Sequence, residues 1–95
     1  MLHILLSSPF QISINSLKIF SRVSDELLCI QDGVILGLKD NILREKIEKF
    51  FKKVYFLQED LKTRGLLKFV FFDIKIINFL EFVTLTEKHK INMTW

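Results

Sequence analysis

The segment Glu26-Leu27-Leu28-Cys29-Ile30-Gln31-Asp32-Gly33 is an apolar run that stops at an acidic turn. A second segment, Lys53-Val54-Tyr55-Phe56-Leu57-Gln58-Glu59-Asp60, has the same order of apolar and acidic residues. In both segments the apolar residues are contiguous, which is typical of strands buried on both faces of a parallel sheet. The polar residues that follow are therefore predicted to lie at the carboxyl edge of the sheet, where α/β proteins place their functional surfaces.

Three further apolar segments are predicted to be strands, and helical segments alternate with the strands along the chain. These strands cover residues 2–6, 74–77 and 91–95. One helix is expected to begin at Ile14 with Ser13 as its cap, and a second at Asp40 or Asn41. A third is expected over residues 59–65 and a fourth after Asn78. Residues 34–38 are ambiguous. The last helix has a capping-box pattern, with an inner face of Phe79, Phe82, Val83 and Thr86. The alternation predicts a single three-layer α/β/α domain over residues 1–95, with a mostly parallel sheet of about five strands.

The composition is that of a small globular domain, and it is unusually apolar for so short a chain. The chain has 95 residues, a net charge of +3, 49% hydrophobic residues, ten phenylalanines and a mean hydropathy of +0.29. Basic and acidic residues are interspersed, so the charge pattern does not indicate a nucleic-acid footprint. A chain this short buries only part of its apolar surface by itself, so some of it is expected to be covered by another subunit.

The sequence favours a cytoplasmic location without membrane association. A single cysteine excludes an internal disulfide and fits a reducing compartment. The short apolar start lacks preceding basic residues, and no apolar run approaches the roughly 20 residues of a membrane span.

Cys29 is the one candidate nucleophile or sulfur carrier, but its position favours a packing role. It lies in mid-strand between Leu28 and Ile30 without a cationic sequence neighbour, so burial would raise the pKa of its thiol. His3 and His89 have no partner at metal-ligand spacing and are interpreted as a strand residue and a helix-end charge. The carboxylates Asp32, Glu59 and Asp60 are interpreted as a turn residue and helix-start charges. No catalytic, metal or cofactor site is predicted.

The apolar segment 66–72 belongs either to the core or to a surface that contacts a partner. Aromatic side chains are favoured at the centres of protein interfaces. The candidate partner-contacting residues are Tyr55, Phe69, Phe71, Phe72 and Trp95.

Over nearly its whole length the chain resembles the DsrH type of the DsrE/DsrF/DsrH-like sulfur-relay family. The resemblance rests on short motifs in a fixed order and spacing. They are Met1-Leu2-His3, Ser8-Pro9-Phe10, Asp25-Glu26-Leu27-Leu28, Gln31-Asp32-Gly33-Val34, Val54-Tyr55, Leu57, Glu59-Asp60-Leu61, Arg64-Gly65, Phe82-Val83, Leu85-Thr86 and Met93-Thr94-Trp95.

The resemblance implies a subunit of a cytoplasmic complex with TusC-like and TusD-like paralogues, arranged as a dimer of heterotrimers. Such a complex relays persulfide sulfur toward 2-thiolation of the tRNA wobble uridine, and its essential cysteine belongs to the TusD-type subunit. Some DsrH-type members carry a cysteine in the first helix, but residues 17–20 contain none here. We therefore expect a non-catalytic structural subunit, linked to tRNA only indirectly through the relay. The alternatives are a persulfide carrier that uses Cys29 and a free-standing α/β binding module.

Overall fold

The computed structural model describes all residues from Met1 to Trp95, which form five strands and four α-helices. The strands are β1 (Leu2–Leu5), β2 (Glu26–Cys29), β3 (Lys53–Leu57), β4 (Lys75–Ile77) and β5 (Asn92–Thr94). The helices are α1 (Ile14–Phe20), α2 (Arg44–Glu48), α3 (Gln58–Thr63) and α4 (Phe79–Lys88), with 3₁₀ segments at Gln31–Gly37 and Leu67–Phe69. None of the helices combines the length and the apolar character needed to cross a membrane.

All strands join one sheet in the order β4-β3-β2-β1-β5, and every pairing is parallel. The central strand β2 is buried at all four positions, as its contiguous apolar run predicts. The expected α/β class, with a mostly parallel sheet of about five strands, is confirmed.

The strand order decides which helices cover which face of the sheet. From β1 to β4 the chain moves across the sheet in one direction, and from β4 to β5 it returns to the other side of β1. Because parallel crossovers are right-handed, connections that run in one direction share a face and a reversal changes the face. Helices α1, α2 and α3 therefore cover one face, here called the α1 face, and α4 alone covers the other, the α4 face.

Two apolar cores match this division. The core of the α1 face joins Leu5, Leu27, Cys29 and Phe56 of the strands to Leu17, Ile47 and Leu61 of the three helices. The core of the α4 face joins Leu2, Leu28, Tyr55 and Ile77 of the strands to Leu85 of α4.

Strand β2 and helix α2 are shorter than the sequence predicts, the first because of its backbone conformation and the second because of a local hydrogen bond. Strand β2 ends at Cys29 because Gln31 takes a left-handed φ of 51° and begins the first 3₁₀ segment. Helix α2 begins at Arg44 because the Asn41 side chain accepts a hydrogen bond from the backbone N–H of Leu43 (2.9 Å), which holds a turn there.

The caps predicted for two helices are confirmed, whereas the inner face predicted for α4 is partly wrong. The Ser13 side chain accepts a hydrogen bond from the Ser16 N–H, and Asn78 and Glu81 form a capping box. In α4 the buried residue is Leu85, with Phe82 packed beside it, whereas Phe79 is 56% exposed. The buried face of α4 is rotated relative to the predicted face, because Phe82 and Leu85 are the residues that pack against the centre of the sheet. Helix α4 covers this face of the sheet alone.

Substitution of Gly33 tests how closely the turn after β2 packs against the backbone of β1. A Cβ atom on Gly33 would overlap the Leu5 carbonyl oxygen, which is backbone and cannot rotate away. We expect Gly33→Ala to lower the free energy of unfolding by about 3 kcal/mol. At Gly65 a Cβ meets nothing, so Gly65→Ala should cost only about 1 kcal/mol for its left-handed φ of 65°. Urea denaturation measures both, and equal costs would contradict the overlap.

Candidate functional site

At the carboxyl edge of the sheet, the acidic residues serve as hydrogen-bond acceptors for neighbouring elements. The Gln31 N–H donates to Asp60 Oδ2 at 2.6 Å. Arg64 donates through Nε to Asp32 Oδ1 at 3.2 Å, and its Nη1 lies 3.7 Å from Asp60 Oδ1. These contacts tie the turn after β2, in which Gln31 has its left-handed backbone, to α3.

Glu59 makes a similar connection to the last helix. Its Oε2 accepts a hydrogen bond from the Phe79 N–H at 3.2 Å, where α4 begins. A carboxylate is stabilising there because the N–H groups of a helix N-terminus are unpaired and carry partial positive charge. The three carboxylates of this edge thus each tie together neighbouring parts of the chain.

Cys29 lies inside the core of the α1 face. Its side chain is fully buried in an apolar cluster that includes Leu5 and Phe56. Burial, together with the negative charge of Glu48, raises the pKa of the Cys29 thiol well above its ordinary value. The thiolate that sulfur transfer needs is therefore disfavoured, and the thiol has no exposed surface from which to react.

The amino edge of the sheet holds a pair of buried carboxylates that the sequence analysis did not predict. Asp25 and Glu26 are consecutive, lie at the start of β2, and are both only 3% exposed. Successive side chains of a strand point to opposite faces, so the two carboxylates enter different cores. We call these two residues and their side-chain partners the carboxylate hub.

On the α1 face, Asp25 pairs with a fully buried histidine. The Nε2 atom of His3 lies 2.8 Å from Asp25 Oδ2, and the Trp95 indole N–H donates to His3 Nδ1 at 3.0 Å. Because Nδ1 accepts the indole hydrogen bond, the ring proton must be on Nε2, which donates to the carboxylate. The pair thereby connects β1, the start of β2 and the residue after β5.

On the α4 face, Glu26 accepts hydrogen bonds from three side chains. The Tyr55 hydroxyl donates to Oε2 at 2.8 Å, while His89 Nε2 lies 2.6 Å and Lys88 Nζ 3.5 Å from Oε1. Burial and the bond to Glu26 raise the pKa of Tyr55 to about 12, so the hydroxyl stays a donor. This half of the hub connects β2, β3 and the end of α4.

The partners of the two carboxylates determine their ionisation. Burial by itself raises the pKa of a carboxyl, but hydrogen bonds outweigh it at both positions. Bonds from His3 and the Met1 amino group lower the pKa of Asp25, and bonds from His89 and Tyr55 lower that of Glu26. The sequence contains a signal for this arrangement, since two consecutive acids directly precede the apolar run of residues 27–30 and the chain contains two histidines.

The five predicted partner-contacting residues lie in different surroundings. Tyr55 is buried and bonded to Glu26, and Trp95 is partly buried against His3. Phe71 is partly buried beneath the Arg44 guanidinium, whose central carbon lies 3.6 Å from the ring centroid. Phe69 and Phe72 are exposed, Phe72 to 90%. The structure therefore does not gather the five residues into one patch.

Comparison with known proteins identifies a matching family and relatives that align over the full length of the chain. The family described as "DsrH like protein" matches residues 7–92. "Protein TusB" of Buchnera aphidicola subsp. Acyrthosiphon pisum (strain 5A) is 41% identical, and that of Escherichia coli (strain K12 / DH10B) is 40% identical; each match covers 100% of both chains. The solution structure of protein Tm0979 from Thermotoga maritima superposes with a TM-score of 0.63 at 25% identity, covering 95% of both chains.

The lowered pKa values of Asp25 and Glu26 predict an acid-sensitive fold. In acid the unfolded chain takes up protons at ordinary carboxyl pKa values, whereas the folded chain resists protonation at these positions. Their stabilising contribution is complete above the ordinary carboxyl range and is lost as the pH falls through the lowered values. Asp25→Asn and Glu26→Gln should each cost about 1–3 kcal/mol at neutral pH and flatten the decline below about pH 5. Urea unfolding at several pH values measures this, and variants with an unchanged acid slope would contradict it.

Proposed function

The chain belongs to the DsrH-like family, and we propose that it is a non-catalytic structural subunit of a sulfur-relay complex needed for 2-thiolation of the tRNA wobble uridine. The family match extends over nearly the whole chain, and the TusB relatives align with it from end to end. The observation that carries the non-catalytic part of the proposal is the position of Cys29. The only thiol is fully buried in an apolar core, where burial raises its pKa.

The proposed partners are TusC-like and TusD-like paralogues, in a cytoplasmic dimer of heterotrimers. Twelve large hydrophobic side chains are exposed on the isolated chain, and we propose that other subunits cover part of this apolar surface. We propose that the aromatic segment around Phe69, Phe71 and Phe72 forms part of this surface, because Phe72 is almost fully exposed. Tyr55 and Trp95 would contribute indirectly, by fixing the strands to which they are hydrogen-bonded.

The proposed mechanism is to brace neighbouring subunits. A reactive cysteine needs a specific environment that lowers its pKa and leaves its sulfur accessible. A rigid neighbour can define such an environment without taking part in the chemistry. In this chain the carboxylate hub joins β1, β2, β3, the end of α4 and Trp95 by hydrogen bonds, which supports a fixed arrangement of its surfaces. The link to tRNA would then pass through the relay cysteine of another subunit.

Assembly is the first test of the proposal. We expect the chain to co-purify with its TusC-like and TusD-like paralogues when the three are co-expressed, and to be less stable alone because its exposed apolar side chains lose their cover. Size-exclusion chromatography with light scattering measures the complex, and thermal unfolding compares free and assembled chains. A stable monomer that is indifferent to both paralogues would favour the free-standing binding module instead.

Cys29→Ala separates the structural role from sulfur carriage. We expect tRNA thiolation to persist in cells that carry only this variant, because a buried thiol with a raised pKa cannot accept persulfide sulfur. The cost in stability should be about 1 kcal/mol, since the substitution removes a buried sulfur atom and leaves only a methyl side chain. The thiolated uridine is quantified by mass spectrometry of tRNA digests. Loss of thiolation by a variant that still folds and assembles would establish Cys29 as a sulfur carrier.

A further inference from the structure

We propose that the groove between α4 and the edge strand β4 binds an acidic amphipathic segment of a paralogous partner subunit. The inference rests on the proposed function, since it assigns one contact within the proposed complex. It is carried by the uneven coverage of the sheet, by the apolar floor of the groove and by the lysines at its rim.

The strand order leaves the α4 face only partly covered. Five strands spaced by about 4.8 Å make a sheet about 24 Å wide, whereas a helix with its side chains is about 10 Å wide. The α1 face has three helices, but the α4 face has α4 alone, so about half of its width is left open. The open area lies along the two flanks of α4.

The two flanks of α4 differ in chemistry. On the flank toward β5, the outward residues are Asn92 and Thr94, which pair with Leu2 and Ile4 and are exposed polar side chains. On the flank toward β4 there is a groove of about 330 Å³ with apolar walls from Tyr55, Ile77, Leu80 and Leu85. Leu80 in this lining is 76% exposed, so its side chain is accessible to another protein. The flank toward β4 is therefore the one suited to contact with another protein.

Charge identifies the kind of segment that fits the groove. Lys75 and Lys88 lie at its rim. Lys75 makes no salt bridge and only approaches the Tyr55 ring, with Nζ 5.5 Å from the centroid, while the mostly exposed Lys88 reaches Glu26 at 3.5 Å. Glu81, also in the groove lining, is held by the capping box at the start of α4. An apolar floor with a free cation at the rim is complementary to an amphipathic segment that carries carboxylates.

Two other occupants fit less well. In a two-fold dimer of this chain, the same surface would face itself and bring the rim lysines of both copies together, which is repulsive. Addition of a strand to β4 is disfavoured because β4 has only three residues and begins with a lysine, features that protect sheet edges. The groove therefore favours a different subunit that supplies a helical or irregular acidic segment.

Matched substitutions on the two faces of the sheet test the assignment in the co-expressed complex. Leu80→Gln removes an apolar contact from the groove, and Ile19→Gln makes a similar change on α1 of the opposite face, where Ile19 is also 76% exposed. Lys75→Glu reverses the rim charge, and Lys18→Glu does so on α1. The affinity of each purified variant for the paralogues is measured by surface plasmon resonance at several salt concentrations, with folding monitored by thermal unfolding.

We expect Leu80→Gln to weaken association at least about tenfold and Lys75→Glu to slow association and flatten its salt dependence. The two α1 variants should stay within about threefold of wild type, as expected for residues outside a contact. Equal losses on both faces, no loss in the groove variants, or a change confined to self-association would overturn the assignment. A wild-type chain that binds neither paralogue would instead refute the proposed function itself.

Discussion

The burial of two consecutive carboxylates at the start of the central strand constrains the rest of this structure. Asp25 and Glu26 must point to opposite faces, and a buried carboxylate without partners is costly. Each core therefore has to supply donors at the amino edge of the sheet. They come from His3 of β1, the Met1 amino group and the Arg22 N–H on one face, and from β3 and the end of α4 on the other.

The buried carboxylates determine the relative positions of the strands and of α4 more than they increase the free energy of unfolding. A buried ion pair contributes little compared with a well-packed apolar pair, but loss of one partner is strongly destabilising. Any shift of β1, of β3 or of the end of α4 would leave Asp25 or Glu26 buried with fewer partners, and a shift of Trp95 would leave His3 Nδ1 without its donor. The hub thus penalises alternative positions of the outer elements. A subunit whose proposed role is to hold its neighbours in place depends on that kind of rigidity.

The sequence alone predicts the sheet but not the carboxylate hub, because the sheet is signalled by local patterns and the hub depends on contacts between distant residues. Contiguous apolar runs identify buried parallel strands locally, and caps such as Asn78 with Glu81 are formed within one turn. The contact of His3 with Asp25 joins residues 22 positions apart, and that of His89 with Glu26 joins residues 63 apart. Such contacts depend on strand order, which local patterns do not contain. The same holds for the hydrogen bonds of the Trp95 indole and the Tyr55 hydroxyl, which join residues 92 and 29 positions apart.

One topological step connects the hub with the open groove. Because the last crossover reverses direction, β5 pairs with β1, and this brings the Trp95 indole to His3. The same reversal places α4 alone on its face of the sheet, so that the flank toward β4 is left uncovered. A strand order that kept a single direction would put the fifth strand beside β4, away from β1, and all helices on one face. The feature that completes the buried network is therefore also the one that creates a surface for another subunit.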